Sequence, residues 1–291
     1  MSWGVVVQTV VTGLATGAAY GLVAAGFVLV FRLTGILHFA HGDLLGAALF
    51  VGLWVGGGYG LIAGVAMAAA AVMGALLFAV LLRPSFRRNA TGQWVAVTVA
   101  AAFMVQAAVA VAFPRVAYIL PDVVRFDEWA PWDLGDGATL HPRSLFVLGV
   151  GVVVGLLADA VLTRTRFGLG LQAVADDAVA ASLVGVSVER LVTGAFALAG
   201  VLGVVAGLVI VPATTLAPAT GLLLGLKGIA ASLLVGLRSP RLAFLGGLAV
   251  GVLEAAVVSL DAPQWRDVAP ILAVLVVLAW RPPALATERV E

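Results

Sequence analysis

The sequence predicts an all-α, polytopic transmembrane bundle of about nine spans, eight to ten by the tolerance of the shortest runs. Three observations carry that expectation. Hydrophobic residues make up 63% of the 291 positions and charged residues only 11%, less than half the share in a soluble domain. Runs of Val, Leu, Ala and Gly are long enough to cross a hydrocarbon core of about 30 Å. No segment alternates apolar and polar residues at period two, as the strands of a membrane barrel do.

Span one covers about residues 4–31 and closes at Arg32. It has no basic residue before its apolar run, so it reads as a retained helix rather than a cleaved leader. A short span follows at about 42–55 and another at about 60–82, ending in the basic loop Arg83-Pro84-Ser85-Phe86-Arg87-Arg88. The fourth covers about 95–113. Residues 114–142, rich in Pro, Asp, Trp and Glu, form an aqueous loop with Trp129 and Trp132 at headgroup level, on a short interfacial helix. The fifth span covers about 144–162 and the sixth about 191–211, stopped by Pro212. Three more, at about 221–237, 242–260 and 268–280, are separated by turns at 238–241 and 261–267. The whole chain, 1–291, reads as one transmembrane domain.

Glycines recur at intervals of four: Gly13, Gly17 and Gly21; Gly52, Gly56 and Gly60; Gly203 and Gly207; Gly221 and Gly225; Gly247 and Gly251. Small residues at that spacing share a helix face and let neighbouring backbones approach closely. An echo joins the two halves. Thr16-Gly17-Ala18 is followed by Gly42-Asp43-Leu44-Leu45-Gly46, and Thr193-Gly194-Ala195 by Gly221-Leu222-Leu223-Leu224-Gly225. The two halves run in opposite directions in this span order, as an inverted repeat requires.

Orientation follows from the arginines. Eleven (Arg32, Arg83, Arg87, Arg88, Arg164, Arg166, Arg190, Arg238, Arg241, Arg281 and Arg289) fall on one side and four (Arg115, Arg125, Arg143 and Arg266) on the other. The positive-inside rule makes the first side cytoplasmic, with the N-terminus outside and the C-terminus inside.

Polar groups inside the apolar runs are the candidate functional residues. His38, His41, Gly42 and Asp43 lie in one interruption after span one. Imidazoles three apart with a nearby carboxylate are a zinc vocabulary, but there is no H-E-x-x-H and no cysteine in the chain. The segment reads better as a tight turn at the cytoplasmic side, with the histidines at or near water and Asp43 at a helix start. Lys227 and Glu254 stand inside spans, where ionisable groups are functional candidates, though their spacing does not pair them. Asp159 is expected to meet Arg164 or Arg166. The second polar stretch, 164–190, carries a short amphipathic helix from Leu171 to Leu183, ended by Gly185. Such a helix lies at the membrane face and can dock into a partner's groove. No phosphate-cradling G-x-x-x-x-G-K-[ST] occurs, so no ATP site of that kind lies in this chain.

These residues together resemble the permease subunits of branched-chain amino acid ABC importers. Gly35-Ile36-Leu37-His38-Phe39-Ala40-His41-Gly42-Asp43 stands where that family usually reads I-G-x-x-N-F-A-H-G-E. Arg83-Pro84, the small-residue stretch Gly168 to Val186, and Gly221 to Glu254 with Lys227 continue the match. The departures are His38 for the Asn, Asp43 for the Glu, and Leu237-Arg238-Ser239-Pro240-Arg241 in place of a glycine-rich turn. The resemblance implies a transport subunit of a bacterial inner membrane, not an enzyme, and no nucleic-acid partner. It implies a second related permease, two cytoplasmic ATPases that hold ATP and Mg, and an extracytoplasmic binding protein. The helix carrying Ala173, Asp176, Asp177, Ala181 and Gly185 resembles the element that couples to the ATPases. His38, His41, Gly42, Asp43, Lys227 and Glu254 are landmarks of the pathway. The alternatives are an ion-coupled secondary transporter using Asp43, Lys227 or Glu254, an importer of amides or urea, and a metalloenzyme at His38, His41 and Asp43.

Overall fold

The computed structural model describes residues 2–84, 91–124, 126–135 and 137–280. Arg87, Arg88, Arg125, Arg281 and Arg289 lie outside those residues. Among the described residues there are eleven α-helices: α1 (Trp3–Thr34), α2 (His41–Val55), α3 (Tyr59–Leu76, continuing as a π-helix over Leu77–Leu82), α4 (Thr91–Ala112), α5 (Pro142–Arg164), α6 (Arg166–Asp176), α7 (Ala178–Leu183), α8 (Val188–Ile210), α9 (Thr220–Leu234), α10 (Pro240–Ser259) and α11 (Val268–Trp280). Six are long and apolar enough to cross a membrane, and α2, α9 and α11 are shorter apolar helices. All nine fall where the apolar runs predicted spans.

α1 is the hub. The Ser2 hydroxyl accepts from the Val5 N–H, and Gly35 ends the helix in the left-handed region at φ 69°, its N–H returning to the Phe31 carbonyl. At about 48 Å by helical rise, α1 exceeds the hydrocarbon thickness. It packs against α5, α8, α9 and α10. By contrast α4 turns Phe103, Met104 and Val111 outward.

The packing repeats itself. α1 lies on α10 as α8 lies on α3, α2 on α3 as α9 on α10, α1 on α9 as α8 on α2, and α2 on α4 as α9 on α11. Exchanging α1–α4 for α8–α11 therefore preserves the neighbours. α2 and α9 meet on the axis of that exchange. Gly42 touches Gly225 while Gly46 touches Gly221, which is the same contact read from each half. α5, α6 and α7 stand outside the repeat.

Glycines set the closest approaches. A Cβ on Gly17 would stand 2.7 Å from the Gly247 carbonyl oxygen, and one on Gly13 2.7 Å from Val252 Cα. α1 and α10 are thus in backbone contact along three turns. The expected stripe Gly52, Gly56, Gly60 does not hold. Gly52 packs on Ile62, but Gly56 turns the chain at φ 70° and Gly60 faces open space, because α2 ends at Val55 and the spacing runs across a turn.

The described residues between 113 and 141 lie at one end of the bundle. The interfacial helix expected there is a 3-10 turn at Phe126–Glu128 followed by a minimal antiparallel pair, β1 (Trp132–Asp133) and β2 (Thr139–Leu140), with Trp132 opposite Leu140. Trp129 and Trp132 are exposed. Tyr118 and Leu216 exchange two backbone hydrogen bonds of 2.8 Å, so this loop is tied to the α8–α9 connection. The opposite face carries α6 and α7.

Leucine at Gly17 should lower thermal stability in detergent by the overpacking cost of ~1–3 kcal/mol or more. Leucine at Gly60 should leave the melting temperature unchanged. Equal melting of the two variants would contradict backbone contact at the α1–α10 crossing.

Candidate functional site

Polar groups gather at three places, and the chain order explains each. The first is the crossing of α2 and α9. At 15 residues each, these helices rise only about 22 Å, so neither crosses a bilayer alone. Their first turns overlap, and neither N-terminus has a side-chain cap. Two helix starts, each bearing partial positive charge, therefore meet inside the protein.

His38, His41 and Asp43 belong to this crossing. They are only 4%, 4% and 5% exposed, so the expectation that the histidines lie at or near water is not met. The connection after Gly35 folds back inward, burying Ile36 and Ala40, instead of turning at the surface. The His41 ring hydrogen-bonds to the Val23 carbonyl, and its Nε2 faces Gly26 and Gly203, where an added Cβ would stand 3.3 and 3.5 Å from it. The His38 ring stacks at 5.1 Å on Phe196, which lies 5.3 Å from Phe78. His38 Nδ1, His41 Nε2 and Asp43 Oδ1 have no hydrogen-bond partner among the described residues. No group of three metal-ligating side chains occurs among those residues.

The second place joins α1, α9, α10 and the turn before α11. Lys227 Nζ lies 2.7 Å from Glu254 Oε1 and 2.8 Å from Asp267 Oδ1, and donates to the Tyr20 hydroxyl at 3.1 Å. Tyr20 in turn donates to Glu254 Oε2 at 3.0 Å, and Arg266 Nε stands 3.6 Å from that oxygen. Two cations and two carboxylates balance. Glu254, 2% exposed, is tolerated in an apolar helix because Lys227, Arg266 and the Tyr20 hydroxyl answer it. The Lys227 ammonium holds the Asp267 carboxyl below its ordinary range. Asp267 thus stays ionised where a free aspartate already protonates, and its contribution is lost only as pH falls through its lowered pKa. Sequence spacing could not pair these groups. Asp159, likewise, meets Arg241 rather than Arg164 or Arg166, because the start of α10 lies beside the end of α5.

The third place is the α6–α7 segment. It is two helices, not the single one expected, because Asp177 adopts an extended backbone (φ −153°, ψ 103°) and caps α7 through Oδ1, accepting from Val179 and Ala180 N–H at 2.8 and 2.9 Å. Gly185 follows α7 at φ 87°, and the Val186 N–H returns to the Ala181 carbonyl. Ala181 is buried and Ala173 exposed. Asp176 faces Arg32 at 3.7 Å. The Gln172 amide donates to the Leu162 carbonyl at 2.7 Å, fixing α6 to α5, and Arg83 pairs with Glu189 at 2.5 Å beside it. Leu183 and Val184 are 83% and 80% exposed, with Val179 and Leu169 also outward. This apolar tip on a polar segment was not singled out from the sequence; its signal was the Leu183-Val184 pair immediately before the terminating glycine.

Half-length helices abutting at the interface of two inverted repeats define a class, the polytopic membrane transport proteins. Comparison with known proteins gives the family. Residues 9–279 match the model for the branched-chain amino acid transport system permease component, and the chain belongs to that family. It is 24% identical to the high-affinity branched-chain amino acid transport system permease protein BraD of Pseudomonas aeruginosa, with 94% of each chain covered. It is also 24% identical to the corresponding LivH of Escherichia coli K12, over 94% of this chain and 93% of that one. A probable LivH of Methanocaldococcus jannaschii is 27% identical over 80% of this chain and 75% of its own.

Lys227→Met should destabilise the protein by about 3–5 kcal/mol, because it strands a buried carboxylate. Adding Glu254→Met should restore part of that loss in a double-mutant cycle read by thermal unfolding. Additive losses would contradict a coupled pair.

Proposed function

We propose that this chain is a permease subunit of an ATP-driven importer for branched-chain or closely related amino acids. The family supports a transport subunit without an ATPase site of its own, and the relatives' substrate supports the solute class. The observation that carries the coupling is the exposed apolar tip of α6–α7, on a segment otherwise fixed rigidly to α5 and α8. A partner ATPase with a complementary groove would bury Leu183 and Val184 and transmit its closure through Gln172 and the Arg83–Glu189 pair. Ala173, Asp176, Asp177, Ala181 and Gly185 then divide the work. Ala181 anchors the segment, Asp177 and Gly185 shape α7, Ala173 faces the partner, and Asp176, largely exposed beside Arg32, lies at the edge of that contact.

In this reading the α6–α7 face is cytoplasmic, in keeping with the excess of arginines assigned to that side, and the 113–141 face is external. A second permease, two ATP-binding subunits and an extracytoplasmic binding protein complete the importer. ATP binding biases two arrangements of the repeats, so that the path opens to one side at a time. The ion cluster around Glu254 is charge-balanced, which leaves no free charge there for a coupling ion and disfavours a self-contained secondary transporter.

Replacing residues 173–185 by a Gly/Ser linker should abolish ATP-dependent leucine uptake by the complete transporter in proteoliposomes and loosen ATPase co-purification. Leu183→Glu with Val184→Glu should weaken both by tenfold or more. Full uptake by the linker variant, or proton-driven uptake by the chain alone, would sink the proposal. Uptake of urea or acetamide in preference to leucine would reassign the substrate.

A further inference from the structure

The crossing of α2 and α9 leaves a cavity of about 150 Å³ on the side of α4. We propose that this cavity is a mid-membrane resting site for an aliphatic α-amino acid, with Asp43 receiving the ammonium group and the aliphatic side chain lying against Val99, Phe103, Leu226 and Ile229. The inference rests on the importer reading and adds the place where the solute pauses.

Asp43 is the first support. Its residue is 95% buried by surface, it lines the cavity, and its Oδ1 has no partner among the described residues. A buried carboxylate oxygen left without a donor costs free energy, and a ligand that donates there recovers it. The second support is the pair of uncapped helix starts. Leu222 and Gly225, in the first two turns of α9, line the same cavity. The partial positive charge there suits the solute's carboxylate, with the Gln106 amide as a further donor. The two ends of a zwitterion thus find opposite charge within one cavity.

The walls decide among small solutes. Asp43 and Gln106 are the only polar side chains lining the cavity. A sodium or calcium ion needs several oxygen ligands, which this lining does not offer. The volume, below the ~300 Å³ of ordinary small-molecule sites, suits a short branched chain. The cavity opens sideways between α4 and α9, where Phe103, Leu222 and Leu226 are exposed, while Tyr118 bridged to Leu216 and stacked on Phe50, and His38 against Phe196 and Phe78, pack elsewhere around α2. A site at the repeat interface near the bilayer midplane is where alternating access needs its solute to wait.

The test uses the complete transporter in proteoliposomes and the purified chain in detergent. Asp43→Asn should cut leucine uptake tenfold or more although the complex still assembles, and Asp43→Glu should recover part of it. Ala102→Phe, which fills the cavity, should slow leucine at least tenfold while slowing alanine less than threefold. Leucine should raise the melting temperature of the wild-type chain, N-acetyl-leucine should not, and Asp43→Asn should lose the shift. Wild-type uptake by Asp43→Asn, or equal slowing of leucine and alanine by Ala102→Phe, would overturn the site. A leucine shift without ATP-driven uptake by the wild type would keep the site and overturn the importer. ATP-driven uptake with no leucine shift would do the reverse.

Discussion

Backbone contact between glycines at the α2–α9 crossing is the constraint on which the rest of this structure depends. A Cβ on Gly225 would stand 2.8 Å from Gly42 Cα, so no side chain fits between the two helix starts. Because they touch, two helices too short to span a bilayer add up to one that does. Their N-termini, which bear positive partial charge, come to lie inside the protein. The inward fold of residues 35–40 follows from the same contact, since it must carry the chain from a membrane face to the interior; the α8–α9 connection buries only Val211 and Leu216 and leaves residues 213–215 exposed. Irregular backbone at that depth is tolerated only when enclosed by protein, and α1, α3 and α8 supply the enclosure.

The buried charges divide according to whether they are answered. Lys227, Glu254, Arg266 and Asp267 form a neutral set closed by the Tyr20 hydroxyl. This set ties the turn before α11 to three helices, so it is a structural clamp near the 113–141 face. Asp43 and the two histidines are not answered in that way. Asp43 in particular has no counter-charge beside it among the described residues, and a buried carboxylate oxygen without a donor calls for an explanation that packing alone does not give. The same logic separates the surface residues of α6–α7. Asp177 is consumed as a helix cap, whereas Leu183 and Val184 stand outward with nothing to cover them.

The positions of the nine apolar helices were legible from apolar run length, and the repeat from the glycine echo, because both depend on local periodicity. The family landmarks around His38 and Lys227 were legible as residue types at fixed spacing. What those residues touch was not. Lys227 and Glu254 are 27 residues apart on different helices, and Asp159 lies 82 from Arg241; no local pattern encodes such pairings. The burial of His38 and His41 was misjudged because a connection that turns at the surface and one that dips inward have the same composition. The break at Asp177 was hidden inside an unbroken small-residue pattern, although an aspartate followed by Ala-Val-Ala is a helix-start signal.

One distance tests the central claim that α2 and α9 enter from opposite faces and meet end over end. The chain has no cysteine, so spin labels can be placed at Trp54 and Gly236, near the far ends of the two helices, and nowhere else. Helical rise from the Gly42–Gly225 contact to those positions adds up to about 30–35 Å, and pulsed electron resonance should read a separation in that range. A separation below ~20 Å, that of two short helices lying side by side over their whole length, would contradict the account.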